Sequence, residues 1–580
     1  MRRTCTHQNV ALSFPLLLSL LVQSCGTPSL EGRVSSRWPY DFASYPTATG
    51  AGVVVSDAAT ATEIGLQRLR DGGNAVDAAV ATAFALAVVY PEAGNIGGGG
   101  FALLRLSDGT TGALDFREKA PLASHPSLYL DSLGNLTDRS VTGHLASGVP
   151  GSVAGLWALH RRYGHTPWRD LLAPAIRLAE DGYEVTPRFA AVLADNLTRL
   201  RRFPASAELF LPDGVPLRAG TTCKNPHLAS TLRRIAEGGA AGFYEGKTAD
   251  LIVSEMRRGG GIVTHEDLRR YTPRWRDPVQ FTYRGHTILS MPPPSSGGIT
   301  LAIIANIMEG YDAGSLGWGS ADLLHLTAEA MRRAFAVRNA TLADPDFVEI
   351  PQEHLLSREY ADSLRATIDP SAATPSEQLA VASHHREGNH TTHISVTDPY
   401  GNAIALTTTV NELFGSAVTV AGAGFLLNDE MDDFTTKPGS PNMLGLVQGE
   451  VNMIAPEKRM LSAMTPTIVL EEDGKPLLIT GARGGPRIIS SVFHVLSNVL
   501  DHGCDAPTAV LLPRLHHQHL PDTLRVDADG FPASRLEELR KRGHVVEELR
   551  YFGSAPSILK TDSLWQGAAD PRSGGTAGGI

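Results

Sequence analysis

Thr391-Thr-His-Ile-Ser-Val-Thr-Asp398-Pro-Tyr-Gly-Asn-Ala403-Ile-Ala-Leu-Thr-Thr-Thr409 is the stretch around which this 580-residue chain organises itself. Residues 391–397 alternate, with Ile394 and Val396 on one face, and residues 403–410 are again rich in strand formers. A period of two predicts two strands, and Asp398-Pro-Tyr-Gly-Asn402 between them has the composition of a turn. If those five residues close a hairpin, Thr397 lies opposite Ala403, and counting outward sets Thr409 opposite Thr391. Two hydroxyls then share a sheet face with Cβ atoms about 5 Å apart. A threonine hydroxyl is a poor nucleophile without a base beside it. Where chain cleavage makes the threonine N-terminal, its own α-amine takes the proton, and a second hydroxyl opposite orients the attacking oxygen. Taken alone, facing threonines are more simply what strand propensity produces.

Working outward, the pattern stops just before Thr391. Residues 369–390 are polar and aperiodic and end in His384-His-Arg-Glu-Gly-Asn-His390, the composition of an exposed connecting segment. Earlier, residues 52–55 form a short β-branched run, and apolar residues at helical spacing follow from 58 to 69. Asn74 then stands as a cap before a second apolar helix over 75–89. Helices are also predicted over 153–163, 168–180, 321–336 and 488–500, and a second hairpin joins 467–470 to 476–480. Strands mixed with helices predict α/β layering. No internal repeat is visible.

With 42% hydrophobic and 19% charged residues the chain can bury a large core, which excludes a disordered or fibrous protein. Residues 1–25 read as an export signal: Arg2 and Arg3, an apolar run over 11–22, then small residues at Ser24 and Cys25. That leader carries two cations and no acid, so its loss takes the net charge from −10 to −12. Such a surface repels a phosphate backbone, and nucleic acid is not an expected partner. Leu21-Val-Gln-Ser-Cys25 is similar to a bacterial lipobox, which makes Cys25 a candidate for lipidation, with plain secretion as the other reading. The expected location is the periplasm, the envelope by a lipid anchor, or the outside. Past residue 30 no apolar run approaches the roughly 20 residues that span a bilayer. Cys223 and Cys504 are too few for a disulfide scaffold and are read as two independent buried thiols.

Beyond the hairpin, Thr391-Thr-His393, Thr409-Val-Asn411, Asn428-Asp-Glu-Met-Asp-Asp-Phe434 and Leu461-Ser-Ala-Met464 resemble the signature segments of the γ-glutamyltransferase (γ-glutamyltranspeptidase) family. Pro91-Glu-Ala-Gly-Asn-Ile-Gly-Gly-Gly-Gly-Phe101, Asp115-Phe-Arg-Glu118, Gly148-Val-Pro-Gly-Ser-Val-Ala-Gly155, Pro293-Pro-Ser-Ser-Gly-Gly298, Arg514-Leu-His-His-Gln518 and Ala569-Asp-Pro-Arg572 resemble further segments in the same order. Several long motifs in order over nearly the whole mature chain are far more specific than one short pattern.

The resemblance implies a four-layer αββα sandwich of the N-terminal nucleophile hydrolase type. It implies a precursor that cuts itself into a large subunit, residues 26–390 ending at His390, and a small subunit, 391–580 beginning at Thr391, the two remaining one heterodimer. The mature threonine then takes the γ-glutamyl group of glutathione or a related compound as an ester, and water or an amino acid or dipeptide acceptor removes it. The family needs no metal or organic cofactor.

The substrate carries an α-carboxylate and an α-ammonium beside the scissile amide, so a specific site must offer a cation and carboxylates. Arg117 resembles the family's carboxylate-binding arginine, with Ser462 beside it, and Asn411, Glu430 and Asp433 match the ammonium-binding positions. Without the resemblance Arg117 reads as a surface or structural ion pair and 428–433 as a solvated acidic loop. Gly481-Ala-Arg-Gly-Gly485 precedes Pro486 at a predicted helix start, so Gly484 and Gly485 are the oxyanion-hole candidates. An isolated glycine loop there is otherwise a tight turn or a phosphate cradle. Gly97 to Gly100 lacks dinucleotide-loop spacing and predicts close backbone packing. His516, His517 and His519 are not spaced to converge on a metal.

Two positions depart from the family pattern. Ser462-Ala463 replaces two adjacent serines, and Leu444, in a segment that resembles the loop covering the pocket, stands where an aromatic is common. Two rivals are a related acylase acting on glutaryl-type amides and a non-catalytic envelope binding protein. Glu430 and Asp433 argue against the first, since a glutaryl group has no ammonium; intact Thr391, Thr409 and the glycine pair argue against the second.

Overall fold

The computed structural model describes residues 32–42, 45–379 and 391–580. The expected export signal with Cys25 and the expected cleavage neighbour His390 lie outside the described residues.

The hairpin forms in the register read from the sequence. Strand Thr391–Thr397 pairs antiparallel with Ala403–Thr409, Thr391 facing Thr409 and Thr397 facing Ala403. Its turn is closed by Asp398, whose Oδ1 accepts from the backbone N–H groups of Tyr400 and Asn402, each at 2.9 Å. The other carboxylate oxygen accepts from Ala75 N at 2.8 Å, tying the turn to the first residue of helix Ala75–Val89. That helix is apolar on every side because it is enclosed on every side, with residues 75–88 all buried. Asn74 and Asp77 cap it reciprocally.

Both hairpin strands are buried along their length because they occupy the middle of a sheet. Among the described residues that sheet has seven strands, in the order Thr576–Gly579, Val53–Ser56, Thr391–Thr397, Ala403–Thr409, Gly99–Arg105, Thr111–Phe116 and Arg274–Arg276. A second seven-stranded sheet runs Ala48–Gly50, Trp565–Ala568, Ser557–Lys560, Pro476–Thr480, Thr467–Leu470, His286–Ser290 and Val279–Tyr283.

Strand alternation sorts the residues of the first sheet into two cores. Val53, Val55, Phe101, Leu103, Ala403 and Ala405 join the core that holds Ile468 and Ile479 of the second sheet. Val54, Ala102, Leu104, Ile394, Val396 and Ile404 join a separate core with helices Ala59–Arg70 and Ala75–Val89. Helices Gly297–Met308 and Arg487–Leu500 pack on the far side of the second sheet. The layers are therefore helix, sheet, sheet, helix, the αββα sandwich expected of an N-terminal nucleophile hydrolase.

The glycine run acts as spacing, not as a nucleotide loop. A Cβ on Gly98 would sit 2.0 Å from Thr409 O, and one on Gly100 2.3 Å from Thr407 O. Only a bare backbone lets residues 98–100 lie this close to the hairpin. Helix Ala321–Thr341 runs beyond the end read at 336, because its last turns carry polar but buried residues, Arg338 and Asn339, that apolar spacing does not count.

Candidate active site

Thr391 opens its strand at 5% exposure, and its Oγ1 donates to Thr409 Oγ1 at 3.5 Å. Thr409 Oγ1 is itself held by the backbone N–H of Asn411 at 2.8 Å. Asn411 has φ +75, a left-handed conformation that asparagine tolerates, and its side chain donates to Asp429 O at 3.1 Å. The bend at 411 thus turns the chain from the hairpin into the acidic segment.

Two residues along the Thr391 face, the His393 ring lies between Thr407 Oγ1 at 2.8 Å and Ser395 Oγ at 3.1 Å. Burial drives its pKa down to about 3, so the ring is neutral. Gly481 packs on it, and a Cβ there would come 2.2 Å from the ring. This approach brings the start of the 481–485 loop onto the face that carries Thr391. Gly484 and Gly485 adopt φ +132 and +58, and their carbonyls accept from Arg487 N at 3.2 Å and Ile488 N at 3.0 Å. Their own N–H groups precede the first turn of helix Arg487–Leu500, where backbone donors have no partner inside the helix.

The charged half of the site forms around Arg117, 1% exposed, just past strand Thr111–Phe116. Its guanidinium donates to Glu430 and Asp433 and to the carbonyls of Met460 at 3.3 Å and Leu461 at 3.4 Å. Residues 428–433 are therefore not a solvated acidic loop: Asn428, Asp429 and Glu430 are fully buried, and Glu430–Asp433 forms a 3-10 turn. Asn428 anchors it, accepting from Gly148 N at 2.9 Å and donating to Gly97 O at 2.9 Å and Gly148 O at 3.0 Å.

Burial pushes the carboxyl of Glu118 up to about 8, against the pull of Arg117, and moves Glu430 and Asp433 in the same direction. Three acids thus gather on one guanidinium, and the second oxygens of Glu118 and Glu430 are buried without a hydrogen-bond partner. A cluster built this way is short of positive charge for the carboxyls it holds. Ser462 adjoins it, 3% exposed, its carbonyl accepting from Ser296 N at 2.7 Å and Ser296 Oγ at 2.6 Å.

The sequence-read residues thus form one connected path. Thr391 meets Thr409, Thr409 is held by Asn411, Asn411 reaches the 429–433 turn, that turn holds Arg117, and Arg117 reaches the segment carrying Ser462. Leu444 packs inward at 6% exposure, and its loop is pinned by Met443 N donating to Asp432 Oδ2 at 2.8 Å. A cavity of about 240 Å³ lies beside that loop, bordered by Ser140, Asp432, Lys437 and Met443.

Three neighbours of the site carry no signal in residue patterning. Asn95 donates to Thr409 O at 2.9 Å and Thr408 Oγ1 at 3.1 Å while accepting from Gly98 N at 2.8 Å; only its place in the Pro91 to Phe101 motif points to it. Asp57 accepts from Thr392 Oγ1 at 2.9 Å and lies 3.6 Å from Arg483, whose guanidinium also reaches the hydroxyls of Tyr90 and Tyr551. Arg483 so links the glycine loop to the residue after Thr391.

The histidines 516, 517 and 519 take separate partners, Ser490 and Gln518, Asp522, and Ser376 O respectively. Among the described residues no group of three His, Cys, Asp or Glu is arranged to hold a metal ion. Cys223 and Cys504 are free and buried in different cores.

The sequence profile of the family described as Gamma-glutamyltranspeptidase matches residues 61–580. The chain is 44% identical over 537 residues to the glutathione hydrolase proenzyme of Escherichia coli (strain K12), covering 91% of this chain and 92% of that protein. Among solved structures, Helicobacter pylori gamma-glutamyltranspeptidase is 46% identical with a TM-score of 0.55, covering 56% of this chain and 93% of that one. A cephalosporin acylase from Bacillus halodurans is 28% identical with a TM-score of 0.84, covering 94% of this chain and 98% of that one.

Proposed function

Since this chain belongs to the gamma-glutamyltranspeptidase family, as an enzyme that hydrolyses glutathione and transfers γ-glutamyl groups, we propose that it cuts itself between His390 and Thr391 and uses Thr391 in both reactions. In self-cleavage Thr391 Oγ1 attacks the carbonyl of residue 390, the peptide C–N bond breaks to leave an ester, and water hydrolyses that ester. The α-amine of Thr391 is then free. It takes the hydroxyl proton as Oγ1 attacks the γ-carbonyl of the substrate and hands it to the departing amine. Gly484 and Gly485 N–H groups receive the oxyanion. The γ-glutamyl ester passes to water or to the amine of an amino acid or dipeptide. Arg117 and Ser462 hold the α-carboxylate; Glu430, Asp433 and Asn411 hold the α-ammonium.

The observation that carries this reading is the unbroken path from the facing threonines through Asn411 to an under-neutralised acidic cluster around Arg117. The test is a denaturing gel with an activity assay. Wild type is expected as two bands split at 390/391, Thr391→Ala as one. An uncut wild-type band with full glutathione hydrolysis sinks the mechanism. Glutathione consumption with and without a dipeptide acceptor separates hydrolysis from transfer.

The likeness to a cephalosporin acylase favours one alternative, an enzyme of glutaryl-type amides. Glu430 and Asp433 oppose it, because a glutaryl group leaves both unneutralised. Faster turnover of a glutaryl amide than of glutathione would reverse the assignment. For location we propose export directed by residues 1–25 to the bacterial envelope, with Cys25 lipidated or the leader simply removed. No helix among the described residues is long and apolar enough to cross a membrane. A mature N-terminal peptide carrying acyl chains on Cys25, lost with Cys25→Ala, distinguishes the two.

A further inference from the structure

Helix Ala321–Thr341 delivers a second guanidinium to the charged half of the site. Arg338 is 1% exposed; its Nε donates to Ser296 Oγ at 3.0 Å and its Nη1 to Asn339 Oδ1 at 2.9 Å. Ser296 Oγ passes the contact on, donating to Ser462 O at 2.6 Å. Arg338 therefore stands one hydroxyl away from the residue read as an α-carboxylate contact.

Among the described residues no carboxylate lies within ion-pair distance of Arg338. Arg117, Arg332, Arg333, Arg459 and Arg514, equally buried, each have a carboxylate within ion-pair distance. The acid whose field Arg338 feels is Asp433, already engaged by Arg117. Burial lowers the Arg338 pKa to about 10, which leaves it cationic at neutral pH. Beside it the Asn339 amide nitrogen is buried without a hydrogen-bond partner. A buried cation and a buried orphan donor side by side are costly unless a ligand brings the acceptor. Arg117 meanwhile is divided between two carboxylates, and Ala463 offers no hydroxyl.

We propose that Arg338, with the Asn339 amide, is a second anchor for the α-carboxylate of the donor substrate, acting together with Arg117. The proposal rests on the γ-glutamyl reading above. In the free enzyme Arg117 is held by Glu430 and Asp433; an arriving zwitterion places its ammonium on those acids and its carboxylate between the two guanidinium groups. Arg338 is then a determinant of which acyl groups are accepted.

The test compares γ-glutamyl-p-nitroanilide with 4-aminobutyryl-p-nitroanilide, which keeps the ammonium-bearing chain and lacks the carboxylate. Arg338→Gln is expected to lower kcat/KM on the first about tenfold to a hundredfold, mainly through KM, and to leave the second nearly unchanged. Arg338→Lys is expected to recover part of the loss, since a point charge replaces a two-pronged donor. Self-cleavage on a gel reports folding. If Arg338→Gln does not cut itself, Arg338→Lys carries the test with a drop of a few-fold in the ratio. Parallel loss on both anilides, or an unchanged ratio in the folded variant, overturns the proposal. A wild-type enzyme without turnover of the γ-glutamyl anilide unseats the γ-glutamyl reading instead.

Discussion

At the residue scale, what separates Thr391 from the other threonines of the hairpin is the company its hydroxyl keeps. Thr407 faces His393 and is spent on that ring, and Thr408 turns to Gly99 O; Thr409 faces Thr391 with a backbone N–H already on its oxygen. Thr409→Val keeps the shape and removes the hydroxyl, so kcat is expected to fall about a hundredfold with KM little changed, read by steady-state kinetics on the processed enzyme. Equal kcat in the variant would remove Thr409 from the mechanism. The carboxylates give a second residue-scale prediction. Glu430→Gln keeps the shape while removing a carboxyl that can ionise against a substrate ammonium, so KM for glutathione is expected to rise about tenfold, while a glutaryl amide is hydrolysed no worse than before. That both residues are visible in the sequence follows from their motifs. That 428–433 is buried is not visible, because a run of acids looks solvated until something like Arg117 meets it.

At the element scale, the hairpin register was legible because alternation and turn chemistry are local, and both specify the same pairing. The Asp398 turn shows how local order is coupled to tertiary order, since one carboxylate closes the turn and also receives the first N–H of helix Ala75–Val89. Asp398→Ala leaves the buried N–H of Ala75 and the half-exposed N–H groups of Tyr400 and Asn402 without their acceptor and is expected to cost about 2 kcal/mol, seen as a lower melting temperature of the uncut Thr391→Ala precursor. The 481–485 loop is the opposite case. Its glycines are plain in the sequence, yet their purpose depends on His393, which packs against Gly481. Gly481→Ala is expected to push the loop off the nucleophile face and to slow self-cleavage and turnover together. A processed variant of normal kcat would show that the loop tolerates the displacement. Helix Ala321–Thr341 outruns its apolar pattern for a related reason: hydrophobic periodicity cannot register Arg338 and Asn339, which are polar yet buried.

At the scale of the whole molecule, the pieces flanking 380–390 are interleaved. Strand Thr391–Thr397 lies beside Val53–Ser56, and Ala403–Thr409 beside Gly99–Arg105, in one sheet. Cleavage at 390/391 is therefore expected to leave both products co-eluting in gel filtration and separable only in denaturant. The stretch before 380 is moored as well: Ser376 N donates to Asp522 at 2.7 Å, Arg332 reaches both Ser376 and Asp522, and His519 meets Ser376 O. Close by, His325 Nδ1 and His544 Nε2 are 2.8 Å apart. Burial, aided by neighbouring positive groups, lowers the His544 pKa to about 3. The unfolded chain takes up this proton near pH 6.5 and the folded one does not, so the stabilisation is full above that pH and is lost as pH falls, by about 2 kcal/mol at pH 5. His544→Gln is expected to melt below wild type at pH 7.5 and to close most of that gap by pH 5. A gap independent of pH would exclude a neutral buried His544.

Taken by itself, the sequence determined the hairpin, the pairing of Thr391 with Thr409, the layered α/β class and, through ordered motifs, the family, since each of these depends on spacing along the chain. Tertiary structure alone decided which charges meet. Arg117, Arg338 and the turn that carries Glu430 and Asp433 come from three distant segments, and whether each charge is solvated or paired depends on burial and on the neighbours that folding supplies.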